Sequence, residues 1–518
     1  MVNMWWLHLP FSRVSSRCSD VWTTRSSWWT IPSRCHQLAE KQQRRHYTRP
    51  SSVLTDRFYS RSKFWIVGIG TGIVLALGFK YHRDLDHELL CEEQVGRYGA
   101  AIEVSRDLVQ RVKDEVGAPG LVVGVSVDGT QVWCEGLGYA DLENRVPCGP
   151  ETVLRIASIS KSLTTAAAAR LWEQGKLDLD ANVQKYVPEF PQKQFEGQDV
   201  TITPRMVLSH LSGIRHYEKD PKKVWEDREK AKRPVKPPGG KDKSDTKIKE
   251  AKKLPKKNEF SQEEYYLKDN FDSVIHALDL FKDDSLIFKP GTTFLYSTHA
   301  FTLLSAVVER ASGQHFLDHM MMMFWQLGML NTVPDKNDPI IYNRSRFYHF
   351  NKKGRIVNSP YVDTSYKWAG GGFLSTVRDL LLFGNALLYS YQMRNLKDSS
   401  DLLPGFLKPG TAEALWAPVD NTEASWDKDG LYAQGWLVVE KEQTYGQCRR
   451  RRHYVSHTGG AVGASSVLLV LPGETDQRPQ GQRVLPQGVV VTIITNMQSV
   501  GLNSTALKIA HEFDKARG

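Results

Sequence analysis

The spacing of apolar residues changes along the chain, and each change marks an element. From Arg97 to Val116, residues Ile102, Leu108, Val109, Val112 and Val116 fall near one stripe, which predicts an amphipathic helix ended by Pro119-Gly120. Leu121, Val123, Val125 and Val127 then alternate as in a strand. Asp128-Gly129 supplies hairpin-turn chemistry, and Gln131 to Tyr139 returns as a second strand. Far downstream, Gly435–Val439, Ser465–Val470 and Val489–Thr495 read as strands, and Leu502–Phe513 as a closing helix. Between these ends lie helical stretches such as Ser162–Gln174, carried by Ala166, Ala167, Ala168, Ala169 and Leu171. The predicted fold is α/β: an antiparallel sheet built from both chain ends, flanked by helices, with an inserted helical subdomain.

Two segments break this pattern. Residues 219–257 are almost entirely Lys, Glu, Asp and Pro around Pro237-Pro238-Gly239-Gly240. They cannot bury enough apolar surface to order themselves and predict a disordered charged insert, a solvated loop rather than a membrane-docking element. Residues 64–79, FWIVGIGTGIVLALGF, are continuously apolar with basic residues on both sides. As a helix they reach about 24 Å, just short of a full membrane span. A membrane anchor and a sorting segment are both open readings, and the basic flanks argue against a core helix.

Charge locates the rest. The net charge is +10, of which residues 1–63 carry +8 and residues 219–257 carry +9, leaving −7 on the remainder. The folded body is therefore mildly acidic, and no nucleic-acid partner is expected. Residues 1–63 are rich in Arg, Ser and Trp and poor in acid, as in a mitochondrial transit peptide. With 64–79 behind it, this address predicts the intermembrane space. The sequons at Asn343 and Asn503 would be used only on the secretory route. The domain plan is thus 1–63 transit peptide, 64–79 apolar segment, 80–96 linker and 97–518 catalytic domain. Six cysteines form no C-x-x-C pair, which argues against a zinc site, and a Cys134–Cys148 disulfide is left open.

The sharpest chemical signal is Arg155-Ile156-Ala157-Ser158-Ile159-Ser160-Lys161 at the head of a helix. Residues three apart share a helical face, so Ser158 and Lys161 are neighbours. A serine hydroxyl is a weak nucleophile until a base takes its proton, and a lysine can be that base once its pKa falls. An N-capping serine beside a solvated lysine has the same spacing, so company decides. Downstream, in order, come Phe288-Lys289-Pro290-Gly291-Thr292-Thr293-Phe294-Leu295-Tyr296-Ser297-Thr298 and His457-Thr458-Gly459-Gly460.

In these three segments the chain resembles the class C β-lactamase and penicillin-binding-protein family. Met206–Ile214 and Ala369–Thr376 followed by Asp379 resemble further segments of it. The resemblance implies Ser158 as nucleophile, Lys161 as base and Tyr296 as proton shuttle. It also implies an oxyanion hole from the amides of Ser158 and Gly460, with His457, Thr458 and Gly459 at the substrate edge. His457 and Thr458 would hold a substrate carboxylate or orient the network, and His210 is expected to be a satisfied structural histidine. Such chemistry requires neither metal nor organic cofactor. Thr298 stands where the family often has Asn, which removes an amide grip on substrate. Together with the transit-like N-terminus, the resemblance narrows to mitochondrial members of the family. It then implies a serine peptidase on peptide or ester substrates, assembling as a homo-oligomer into filaments and linked to mitochondrial lipid metabolism. An esterase on small or lipid-derived esters, or a non-catalytic filament scaffold, are the competing readings.

Overall fold

The computed structural model describes residues 96–232, 263–395, 403–424, 430–440, 452–473 and 486–517. The chain divides into Met1–Phe79 and Lys80–Gly518. The first unit, with the expected transit peptide and apolar segment, lies outside the described residues, and among those described no helix is long and apolar enough to cross a membrane.

The main sheet has eight strands: β1 Gly120–Val127, β2 Thr130–Asp141, β3 Val146–Pro147, β4 Gly430–Tyr432, β5 Leu437–Val439, β6 Tyr454–Ala461, β7 Ala464–Pro472 and β8 Gly488–Thr495. Their spatial order is β4-β5-β6-β7-β8-β1-β2-β3, with antiparallel neighbours throughout. The N-terminal hairpin therefore joins the C-terminal strands along β1 and β8, where Leu121 lies opposite Thr495 and Val127 opposite Val489. Principal helices are α1 (96–115), α2 Ile159–Glu173, α3 Pro221–Lys232, α4 Thr298–Ser312, α5 Val377–Gln392 and α6 Asn503–Arg517.

Alternation along each central strand feeds two cores. Leu121, Val123 and Val125 of β1, with Val491 and Ile493 of β8, pack with Ile102 and Val109 of α1 and Ile509 and Phe513 of α6. Val122, Leu468, Val470, Val490 and Ile494 face the other way, toward α2, α4 and α5. Covering both faces buries the central strands completely, so Gly124 can pass under α5, where an added Cβ would meet Val377 and Leu381 at 3.2 Å.

Three expectations change. Cys134 and Cys148 are free thiols, so the disulfide left open is not formed. The charged insert is not wholly irregular: Pro221–Lys232 is helical. Pro221 suits a first helical position, the following residues are strong helix formers, and Trp225 packs edge-on to Phe288 with ring centroids 4.9 Å apart. Residues 233–257 of the insert lie outside the described residues. Thirdly, helix α2 begins at Ile159, earlier than the Ala-rich run suggested.

Candidate active site

Helix α2 runs through the middle of the helical subdomain, buried on nearly all sides, and its alanines allow that close approach. Its head is a turn in which Ala157 takes a left-handed φ of +50°. That conformation costs a residue with a Cβ about 1 kcal/mol or more, and such strain gathers at functional turns. Ser158 follows at the helix N-terminus, but its side chain makes no capping hydrogen bond, so the plain N-cap reading fails. Ser160 and Ser162 are spent structurally: the Phe373 amide donates to Ser160 Oγ at 3.4 Å, and Ser162 donates to the Gly435 carbonyl at 2.7 Å.

Lys161 is 0% exposed. Its Nζ lies 3.1 Å from Ser158 Oγ, 3.3 Å from Thr298 Oγ1 and 2.6 Å from the Gly370 carbonyl oxygen. Among the described residues no carboxylate pairs with it. Burial holds its amine well below the ordinary lysine range, and the nearby charge of Lys367 pushes the same way. The Tyr296 ring packs against the amine, centroid to Nζ 4.7 Å. Burial pushes the Tyr296 phenol above its usual value, offset in part by its hydrogen bond with Ser158. Ser158, Lys161 and Tyr296, drawn from segments 135 or more positions apart, thus meet at one point.

Strand β6 completes the cleft. β5 pairs with it only through Ser456, which leaves residues 457–461 with an open edge. Gly459 is demanded by the packing: a Cβ there would meet Ser466 Oγ at 2.2 Å and the Ile156 carbonyl oxygen at 2.4 Å. The strand can therefore lie against the turn that carries Ser158. Gly460 is exposed on the cleft side, with room for a Cβ. Ser158, Tyr296, Thr298, His457, Thr458 and Gly460 all line one cleft of about 240 Å³.

The histidines differ from the simplest expectation. His457 Nδ1 lies 2.7 Å from the Thr458 carbonyl oxygen, so it must donate, and Nε2 accepts from the Tyr432 hydroxyl at 2.9 Å. Burial takes its pKa down to about 3, leaving a neutral ring with both nitrogens committed. Of its two expected roles, orienting the network fits this geometry and holding a substrate carboxylate does not. His210 accepts from the Ser297 amide at 3.1 Å through Nδ1, but its buried Nε2 finds no hydrogen-bond partner among the described residues, so it is only half satisfied there. Its ring packs tilted against Tyr296, with centroids 4.3 Å apart.

Four cleft residues were not legible as site residues in the sequence: His216, Tyr217, Tyr265 and Lys367. A lysine inside the aromatic and small run Tyr366-Lys367-Trp368-Ala369 is the one signal that could have marked the last. No group of His, Cys, Asp and Glu among the described residues is arranged to hold a metal ion.

A helix headed by Ser158 and Lys161 beneath the open, glycine-rich edge of an antiparallel sheet is the architecture of the penicillin-binding type of serine hydrolase. Residues 106–510 match the Beta-lactamase family, to which the chain belongs, and within it the chain falls among the mitochondrial serine β-lactamase-like proteins. It is 62% identical over 448 residues to Serine beta-lactamase-like protein LACTB, mitochondrial, of Mus musculus, covering 81% of both chains. The Homo sapiens protein of the same name is 61% identical over 444 residues, again covering 81% of both. The fold is also that of EstCE1, a hydrolase with promiscuous acyltransferase activity, at a TM-score of 0.57 and 20% identity, covering 82% of this chain and 100% of that one.

Proposed function

We propose that this mitochondrial hydrolase is a serine peptidase that works through an acyl-enzyme on Ser158. Ser158 Oγ attacks the scissile carbonyl carbon while its proton passes to the neutral amine of Lys161. The oxyanion is held by the amides of Ser158 and Gly460. Collapse breaks the C–N bond, and the proton passes from Lys161 through Tyr296 to the leaving amine. Water then attacks the ester, gives its proton back through the same groups, and frees Ser158. The observation that carries this reading is the 3.1 Å contact between Lys161 Nζ and Ser158 Oγ, made by an amine whose pKa burial holds well below the ordinary lysine range. Residence in the intermembrane space, filament assembly by homo-oligomerisation and a part in lipid metabolism go with the reading as proposals supported by resemblance. The membrane association proposed for residues 64–79 rests on their apolar run and basic flanks.

A second reading is favoured by Thr298. Its hydroxyl is engaged by Lys161 at 3.3 Å, so this position offers no side-chain amide to grip a substrate amide. An esterase on small or lipid-derived esters has less need of that grip. Steady-state hydrolysis of a peptide 4-nitroanilide and the matched peptide ester by the mature protein separates the two. Peptidase action predicts cleavage of both, lost in Ser158→Ala. Cleavage of the ester alone selects the esterase, and no Ser158-dependent cleavage of either contradicts both.

A further inference from the structure

Toward the other end of α2 from Ser158, a cavity of about 200 Å³ lies between that helix, the turn after α4 and the helix Phe316–Gln326. Arg170 in its wall stands about 18 Å along the helix axis from Ser158, and no residue lines both this cavity and the hydrolase cleft. Three basic side chains line it: Arg170 and His319, both half-buried, and Lys176 at the rim. No Asp or Glu is among its described lining residues, and Met322 and Met323 give it an apolar side.

The polar groups of this wall are left as donors. Arg170 Nη1 donates to Gln326 Oε1 at 2.8 Å, and His319 Nδ1 donates to Gln314 Oε1 at 3.0 Å. Both glutamine oxygens are thereby engaged, and each amide keeps its NH2 group to offer. His319 Nε2 has no hydrogen bond among the described residues and becomes a donor when the ring is protonated. The charges that act on His319 are those of Lys176 and Arg170, and with burial they hold its pKa below the usual value. The nearest acids in the chain are occupied: Glu173 accepts from the Lys408 amide at 2.5 Å, and Glu309 from the Phe316 amide at 2.8 Å. Cations also suit a helix C-terminus. That end of α2 is already closed, because the amides of Gln174, Gly175 and Lys176 donate to the carbonyls of Arg170, Trp172 and Leu171. The three basic side chains are not needed to satisfy it.

We propose that this cavity is a second binding site, which takes a phosphate monoester group on Arg170, Lys176 and His319. The guanidinium fork, the ammonium and the imidazolium bring donors from two helices and the turn after α2. A phosphate monoester at pH 7 meets them with three acceptor oxygens and close to two negative charges. A single carboxylate, with one charge and two oxygens, uses only part of that set. Met322 and Met323 then face the organic part of the ligand. A soluble phosphate ester and a phospholipid head group present the same chemistry, and the test separates them.

Calorimetric titration of glycerol 3-phosphate into the mature protein is the first arm of the test. Saturable binding at one site per chain is expected, with acetate bound at least tenfold more weakly. Arg170→Met and Lys176→Met should each weaken the phosphate ester about tenfold or more. Lys185→Met, which removes an exposed lysine outside the cavity, should leave it unchanged. Arg170 also packs on the Phe406 ring at 4.8 Å, so a loss in that variant alone could be one of folding. Lys176 is exposed, and its variant keeps the test decisive. The second arm is co-sedimentation with phosphatidylcholine vesicles with and without phosphatidic acid. Binding of glycerol 3-phosphate that falls in Lys176→Met supports the site with a soluble ligand. Binding only to the phosphatidic acid vesicles, again falling in Lys176→Met, supports it with a lipid head group. No binding in either arm, binding that survives Lys176→Met, an equal loss in Lys185→Met, or acetate bound as tightly as the phosphate ester overturns the proposal.

Discussion

The amine nitrogen of Lys161 lies 3.1 Å from the hydroxyl oxygen of Ser158, and its other two contacts are also oxygen atoms, of Gly370 and Thr298. Three acceptors satisfy a charged ammonium completely. They also satisfy the neutral amine, which donates to Gly370 and Thr298 and turns its lone pair to the Ser158 proton. A base that must gain and lose a proton in each turnover needs a full set of partners in both states.

Replacing Lys161 tests that reading. Arginine keeps the charge and cannot give up its proton, and methionine keeps the bulk without a base. Both should slow acylation of Ser158 by about 10²–10⁴-fold, measured as the labelling rate with a fluorophosphonate.

The same assay followed against pH reports the Lys161 proton. Its pKa is held low in the folded protein, so the reactive neutral form is gained as pH rises through a value well below 10.5. The rising limb of the rate should therefore be complete well short of the ordinary lysine range. A limb centred on that range would show that burial does not tune the amine.

Two adjacent glycines should differ sharply on substitution. Gly459→Ala drives a Cβ into Ser466 and the Ile156 carbonyl, and should destabilise the fold by about 1–3 kcal/mol while moving the strand off the Ser158 turn. Gly460→Ala meets no atom within 4 Å and should leave the thermal midpoint nearly unchanged. Thermal denaturation of both variants checks the contrast.

Acid should weaken the fold over two pH ranges. His457 is held neutral, its pKa lowered from 6.5 to about 3, so the unfolded chain binds the proton first as pH falls. Stability is full above pH 6.5 and lost below it, about 2 kcal/mol by pH 5 from this residue alone. His210 and His299 act in the same direction. Glu264, lowered from 4.5 to about 2 against burial by His299 and Arg215, adds a further loss below pH 4.5. Denaturant midpoints measured from pH 8 down to about pH 3 would show both declines.

Much of this site was readable in the sequence, because helical periodicity makes Ser158 and Lys161 neighbours and the resemblance of three ordered motifs to the family implies Tyr296 and residues 457–460. The sheet was readable because Leu121, Val123, Val125 and Val127 alternate, although the short edge strands were not. Lys367, His216, Tyr217 and Tyr265 were hidden for a physical reason. They reach the cleft from irregular segments whose course is set by tertiary contacts, such as the hydrogen bond from Tyr366 to the Glu264 carbonyl. The helix Pro221–Lys232 was missed because it is polar on most of its surface, so only Pro221 at its start and its helix-forming residues signal it.

The most direct test of the central claim is to label the mature protein with a fluorophosphonate and locate the adduct by mass spectrometry of its peptides. The account predicts one phosphonylated residue, Ser158, and almost no labelling in Lys161→Arg. An adduct on another side chain, or undiminished labelling of Ser158 in Lys161→Arg, would contradict it.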